Sequence, residues 1–154
     1  MRTELRPVKP EHERDPLSAR SREDRRRLLL LSADWQTRAL TLAELKEQGY
    51  EVLALPGFTW GMKAILRNLV EPPLVIVDTK DDSDVTPERV RQLKRLLPGV
   101  PLVLVVGTFE QARFEPLRGE VDAFLVRPLT VGQVVRTVMR LLPPPKPTPA
   151  TDGC

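Results

Sequence analysis

The chain has 154 residues, of which 41% are hydrophobic, so it is long enough for one domain with a buried core. Its 24 Lys and Arg against 21 Asp and Glu give a net charge of +3, and residues 1–27 alone carry nine basic and six acidic side chains. Because the whole excess lies in that segment, the composition argues against a basic groove for nucleic acid on the domain. The single cysteine, Cys154, excludes an internal disulfide and a cysteine-built metal site.

The two ends of the chain lack the pattern of a folded element. Residues 1–26 mix charges and prolines without apolar periodicity, and such a segment buries too little surface to offset its ordering entropy. The proline-rich residues 143–154 predict an extended, polyproline-like tail. We therefore predict disordered tails at 1–26 and 143–154 around one domain at 27–142. No apolar run is long enough to span a bilayer and no signal peptide is apparent, so we expect a cytoplasmic protein that binds no membrane.

Short apolar segments between the tails predict five strands. They lie at residues 28–31, 50–55, 74–77, 102–106 and 121–126. Several are apolar at nearly every position, which is typical of strands that are covered on both faces of a parallel sheet.

The segments between these strands predict helices. The first has apolar residues at helical spacing and ends before a glycine that suits a left-handed cap: Trp35, Ala39, Leu42, Leu45 and then Gly49. The third starts with a cap residue and a first-turn proline, and the last starts with capping-box spacing: Thr86 and Pro87, then Thr130 and Gln133. A glycine weakens the second prediction, residues 59–70, and a proline shortens the fourth, residues 110–117.

Five strands that alternate with five helices predict an α/β protein with a doubly wound parallel sheet and right-handed crossovers. In such sheets the functional crevice lies at the carboxyl ends of the strands. This rule draws attention to the residues that end the first, third, fourth and fifth strands. They are Ser32, Asp78, residues 106–108 and Arg127.

Four segments then carry a resemblance to a known family. They read RLLLLSADWQTRALTLAELKEQGYEV, PPLVIVDT, VPLVLVVGT and VDAFLVRPLTVGQVV. In their order, spacing and length, residues 27–142 resemble the receiver (CheY-like) domain of two-component response regulators. The resemblance implies a flavodoxin-like (βα)5 fold with strand order 2-1-3-4-5.

The resemblance places Asp78 where the family has its phosphoryl-accepting aspartate, at the end of the third strand. Transfer to a carboxylate needs a divalent cation, which the family holds with an acidic pair directly after the first strand. This chain has Ser32 and Ala33 at those positions. Asp34 follows one residue later, where a shift out of the strand end changes the direction of the side chain. The family's acidic pair is therefore missing.

A replacement cation site remains open as an alternative. A weak Mg²⁺ site would consist of Asp34, Asp78, the Lys80 backbone and Asp81, with Asp82 and Asp84 in the same loop. The interpretation that we favour is that these are solvated carboxylates of a turn-rich acidic stretch.

Two further positions depart from the family. Its switch hydroxyl at the end of the fourth strand is matched by Val106, and Thr108 would reach the site only through a local bulge. Its lysine after the fifth strand is replaced by Arg127, which precedes Pro128 across a peptide bond that we expect to be cis. Since arginine is a planar fork and not a compact ammonium, we expect an ion pair between Arg127 and Asp78 that needs no cation.

The family commonly binds its partners through the fourth helix, fifth strand and fifth helix. On this chain the corresponding face would include Arg113, Phe114, Leu117, Arg136 and Arg140. For Phe114 and Leu117, ordinary core packing is an equally good interpretation.

We predict a stand-alone receiver-like signalling module of the two-component type, not an enzyme, that acts through protein contacts without a cofactor and with phosphorylation at Asp78 lost or weak. The resemblance suggests a histidine kinase or a downstream effector as partner, and a homodimer through the last helix would suit the family. The main alternative is a working phosphoacceptor with a non-standard Mg²⁺ site. A flavin-binding flavodoxin-like protein is a third hypothesis. Nucleic-acid binding through residues 1–26 is a fourth, which the interleaved acidic residues disfavour.

Overall fold

The computed structural model describes residues 22–145, and its centre is a five-stranded parallel sheet in the order β2-β1-β3-β4-β5. The strands are β1 (Leu28–Leu31), β2 (Val52–Leu55), β3 (Val75–Asp78), β4 (Leu102–Val106) and β5 (Ala123–Val126). The α/β class, the doubly wound parallel sheet and the strand order are therefore confirmed.

Four helices connect the strands and a fifth follows β5. They are α1 (Trp35–Glu47), α2 (Phe58–Leu66), α3 (Pro87–Leu96), α4 (Gln111–Phe114) and α5 (Val131–Leu141). The predicted helix at residues 110–117 is short, since α4 is a single turn flanked by the 3-10 turns Thr108–Glu110 and Glu115–Leu117. No helix of residues 22–145 is long and apolar enough to cross a membrane.

The sheet has a hydrophobic core on each face. Along β1 the side chains alternate: Leu29 and Leu31 join one core, and Leu28 and Leu30 join the other. All four are buried. This two-sided burial explains why the strands are apolar at consecutive positions.

The helix starts and one helix end follow the local signals. Thr86 and Thr130 cap α3 and α5, and Gln133 completes the capping box of α5. Gly49 has φ +96, so the predicted left-handed residue after α1 is confirmed. Gly61 lies inside α2 and does not interrupt the helix. A Cβ at this position would lie 2.4 Å from the Leu31 side chain. The glycine permits close packing of α2 on β1.

The predicted buried stripe of α1 is wrong in part. Thr41 and Leu45 are the buried residues of this helix, whereas Ala39 is exposed and Trp35 is 67% exposed. Apolar residues occur all around α1, so their spacing fits more than one rotation of the helix. The cap at Asp34 and the packing of α1 on the sheet and on α5 select one rotation.

The N-terminal boundary of the domain also needs a correction. Arg22–Arg25 forms a helical turn inside the segment that we predicted to be disordered, and Arg25 pairs with Glu71 at 3.1 Å. At the other end, the ring of Pro145 lies beside Gly49. The remaining parts of the two predicted tails, residues 1–21 and 146–154, lie outside the described residues.

Candidate functional site

Asp78 is the last residue of β3, and it is only 3% exposed. Its strand lies between β1 and β4 in the middle of the sheet, so the carboxylate sits at the centre of the carboxyl edge. This is the place where doubly wound sheets form their functional crevice.

Three groups engage the Asp78 carboxylate. The guanidinium of Arg127 forms an ion pair with Oδ1 through Nη2, and the backbone N–H of Lys80 donates to the same oxygen at 3.0 Å. The hydroxyl of Ser32 lies 3.3 Å from Oδ2 and donates to it. The expected ion pair between Arg127 and Asp78 is therefore present. It supplies a positive charge to a buried carboxylate from within the chain itself.

The segment after β1 offers no acidic pair to the site. Ser32 is fully buried, and its carbonyl oxygen accepts from Arg38 at 2.8 Å. Ala33 follows with no polar side chain. The first carboxylate of the segment is Asp34, and its environment differs from that of Asp78.

Asp34 caps α1. Its Oδ2 accepts from the backbone N–H of Thr37 at 2.9 Å and from the Thr37 hydroxyl at 2.5 Å. The Lys80 ammonium lies 3.6 Å from the same oxygen. The hydrogen bonds from Thr37 are the main cause that lowers the pKa of Asp34 below its usual value.

The acidic loop after β3 is tied to the start of α2. Asp82 accepts from the backbone N–H of Phe58 at 2.8 Å, and Asp84 accepts from the hydroxyl of Thr59 at 2.8 Å. Asp81 is exposed and has φ +59, the left-handed conformation that aspartate tolerates better than most residues. Among residues 22–145, no group of three or more His, Cys, Asp and Glu side chains is close enough together to hold a metal ion.

The switch position of the family carries no hydroxyl near Asp78. Val105 pairs with Asp78 across the strands, while Val106 is buried in the core on the opposite face of the sheet. The hydroxyl of Thr108 donates to the backbone carbonyl of Arg127 at 2.8 Å. The bulge that would bring Thr108 to Asp78 is therefore not present. The predicted cis peptide between Arg127 and Pro128 is confirmed.

The sequence did not predict two side-chain contacts near the site. The hydroxyl of Thr79 donates to Glu110 at 2.6 Å, which joins the loops after β3 and β4. Lys80 contributes its ammonium to Asp34 as well as its N–H to Asp78. The strand-end rule was the available signal for Thr79 and Lys80, because both directly follow β3.

The predicted partner surface is only partly exposed. Phe114 and Leu117 are fully buried in the core, so they cannot contact a partner and the core interpretation is correct for both. The three arginines of the prediction, Arg113, Arg136 and Arg140, are exposed.

A cavity of about 90 Å³ adjoins Asp78 on the side of α1 and α5. Five of its lining side chains are polar: Ser32, Thr37, Thr41, Asp78 and Arg127. The others are apolar: Leu30, Ile76, Val105, Leu129, Val131 and Val134.

Solved structures with this fold include several receiver domains. A response regulator receiver domain protein from Clostridium thermocellum has a TM-score of 0.64 at 17% identity, over 75% of this chain and 92% of that chain. A CheY-like receiver domain protein from Methanospirillum hungatei JF-1 has a TM-score of 0.63 at 23% identity, over 76% and 93% of the two chains.

An orphan response regulator of H. pylori is similar over 77% of this chain and 98% of that chain, with a TM-score of 0.61 at 15% identity. No family model and no curated protein matches the sequence. Identities this low establish the fold and leave the activity to be argued from the site. The chain has the fold of the CheY-like response regulator receiver domains, with a divergent sequence.

Proposed function

We propose that this chain is a receiver-like signalling module of the two-component type that acts through protein contacts, with phosphorylation at Asp78 lost or weak. The observation that carries the proposal is the ion pair between Arg127 and Asp78. It engages the carboxylate that would attack a phosphoryl group and neutralises its charge without a metal cation.

The groups around Asp78 support the loss of phosphoryl chemistry. A carboxylate nucleophile and three phosphoryl oxygens together need a divalent cation with near-ideal octahedral oxygen ligands. Ser32 stands where the family has a carboxylate, and its hydroxyl donates a hydrogen bond to Asp78. Asp34 and Asp82 are engaged in capping the starts of α1 and α2. A Mg²⁺ ion would therefore compete with these hydrogen bonds, and with the Lys80 ammonium beside Asp34, for the carboxylates.

The exposed arginines support a role in protein binding. Arg113, Arg136 and Arg140 project from α4 and α5, and no ion pair of the described residues involves them. A partner with an acidic surface, such as a kinase, an effector or a second copy of the chain, would complement this face. In this proposal the module is not an enzyme and uses no cofactor.

The flavin hypothesis has no specific support. Ligand pockets usually measure about 300 Å³ or more, and the cavity beside Asp78 measures about 90 Å³. A flavin would need a substantial opening of this edge of the sheet.

The deciding experiment is incubation with Mg²⁺ and acetyl phosphate, followed by intact mass spectrometry. We expect no phosphoryl adduct, and no effect of Mg²⁺ on the fluorescence of Trp35, which directly follows Asp34. Asp78→Ala is the matched control. An adduct that forms on the unmutated protein and not on Asp78→Ala would refute the proposal and establish the working phosphoacceptor.

A further inference from the structure

The solvent side of α2 exposes large apolar side chains. Trp60 is 56% exposed and Leu66 is 67% exposed, while the other side of the same helix is buried in the core. Lys63 lies three positions from each of them and four positions before Arg67, so these four side chains share one side of the helix. We call this surface the α2 face. Exposed apolar side chains that cluster in this way are typical of interaction surfaces, and tryptophan is a common anchor in them.

The α2 face carries positive charge only. Lys63 stands over the Trp60 ring, 5.4 Å from its centroid, and Arg67 directly follows the helix. No ion pair of residues 22–145 involves either cation. The acidic loop after β3 does not neutralise them, because Asp82 and Asp84 are bonded to the first two residues of α2. The α2 face therefore suits an occupant with acidic and apolar side chains.

The described part of the chain begins beside the end of α2. Its first element, the turn Arg22–Arg25, contacts Glu71, which lies five positions after Leu66. Arg25 forms its ion pair with Glu71 there, and its carbonyl oxygen accepts from the Glu71 N–H at 2.8 Å. The residues that precede Arg22 therefore join the domain close to the C-terminal end of the α2 face.

One stretch of these preceding residues has the complementary chemistry. Residues 11–17 read EHERDPL and contain three acidic side chains and one basic side chain, whereas residues 1–10 contain one acidic and three basic side chains. Leu17 adds an apolar side chain five positions before Arg22. At about 3.3 Å per extended residue the seven residues span about 23 Å, more than the length of α2 at about 1.5 Å per residue. The stretch is therefore long enough to lie along the whole α2 face.

We propose that residues 11–17 cover the α2 face, with Leu17 against Leu66 and the acidic side chains on Lys63 and Arg67. In this arrangement the segment runs from Leu66 towards Trp60. The inference goes beyond the proposed function, because it involves neither Asp78 nor the arginines of α4 and α5. The covalent link keeps the segment at a high local concentration, so contacts of modest strength suffice. An acidic partner of the α2 face would have to displace the segment first.

Paramagnetic broadening in the full chain tests this contact. Pro10→Cys, combined with Cys154→Ser, places a single nitroxide label directly before the segment. We expect the label to remove the indole NMR signal of Trp60. The amide signal of Gly119 should persist, because this residue precedes β5 at the opposite edge of the sheet. Persistence of the Trp60 signal, or equal loss at Gly119, would overturn the proposal.

A charge swap separates a specific contact from chance collisions of the tethered label. In the labelled protein, Lys63→Glu with Arg67→Glu should restore the Trp60 signal, because the reversed face repels the segment. Addition of Glu13→Lys and Asp15→Lys to this variant should remove the signal again, because the swapped charges attract. A Trp60 signal that ignores the reversal of the face, or that stays restored after the swap, would contradict the assignment.

The matched control reverses two exposed cations elsewhere on the domain. Lys46 lies on α1 and Arg95 lies on α3, and no ion pair of the described residues involves them. Lys46→Glu with Arg95→Glu changes the net charge as much as the reversal of the α2 face does. We expect this control to leave the Trp60 signal broadened. Restoration of the signal in the control would show that net charge governs the broadening and would refute a specific contact.

Discussion

At the scale of single residues, the pairing of Asp78 with Arg127 decides what the carboxyl edge can do. In an active receiver-type site this carboxylate must be free to attack and its charge must be balanced by an exchangeable cation. Here the balancing charge is covalently part of the chain and cannot leave. The Lys80 N–H and the Ser32 hydroxyl also donate to this carboxylate, so the protein itself supplies hydrogen bonds to both of its oxygens.

The substitution Arg127→Ala tests the structural role of this pair. It leaves Asp78 buried without a positive charge, and we expect a loss of roughly 3 kcal/mol in the free energy of unfolding, at the low end for a broken buried pair because Arg127 is 23% exposed. Urea denaturation measures this loss. Arg91→Ala, which breaks an exposed pair with Glu120, is the control and should change little. Equal effects of the two substitutions would show that the buried pair has no special role.

The capping carboxylate Asp34 predicts a dependence of stability on pH. Its pKa is lowered in the folded state from 3.8, so the bonds from Thr37 stabilise the fold above about pH 3.8 and are lost as the pH falls through the folded value. Asp34→Ala should therefore have a lower urea midpoint than the parent at pH 7, with a difference that shrinks in acid. Asp34→Asn should keep most of the stability at both pH values, since asparagine caps equally well. A difference that stays constant from pH 7 to pH 3 would count against this explanation.

At the scale of the elements, the acidic loop after β3 serves the start of α2. Gly57, the residue before α2, has no side chain with which to cap the helix, and Asp82 supplies the acceptor for the Phe58 N–H from another part of the chain. This is a capping contact that no local pattern around α2 could reveal. It gives the loop a structural role in place of the metal-binding role that the alternative hypothesis requires.

Two neighbouring substitutions separate these roles. Asp82→Ala should destabilise the protein by about 1 kcal/mol, as expected for the loss of a helix cap. Asp81→Gly should be neutral or slightly stabilising, because glycine adopts the left-handed conformation of this residue without strain. Thermal melting with and without Mg²⁺ checks both. If Mg²⁺ stabilised the parent and either substitution abolished that effect, the loop would be a cation site.

At the scale of the whole molecule, the sheet separates two cores that are each sealed by helices. Leu29→Ala and Leu30→Ala remove side chains from opposite faces, and both residues are almost completely buried. We expect each to cost about 3 kcal/mol, within the usual range for leucine in a core. Leu53→Ala, in the half-buried edge strand β2, should cost clearly less. Urea denaturation would contradict the two-sided core if only one of the central pair were costly.

The sequence by itself determined the order and type of the elements, because each depends on local patterns. Apolar runs gave the five strands, cap residues such as Thr86 and Thr130 gave helix starts, and Gly49 gave the end of α1. The strand-end rule also brought Asp78 and Arg127 to one edge, since the carboxyl ends of parallel strands meet there. Their ion pair then followed from charge.

The tertiary structure alone decided the rotation of α1, the burial of Phe114 and Leu117, and the partners of the loop carboxylates. Each of these depends on contacts between residues far apart in the chain. Helical spacing fixes which residues share a face and leaves open which face meets the core. Likewise, the sequence around Asp82 predicts a solvated loop residue, and only the tertiary structure shows that the N–H of Phe58 donates to it.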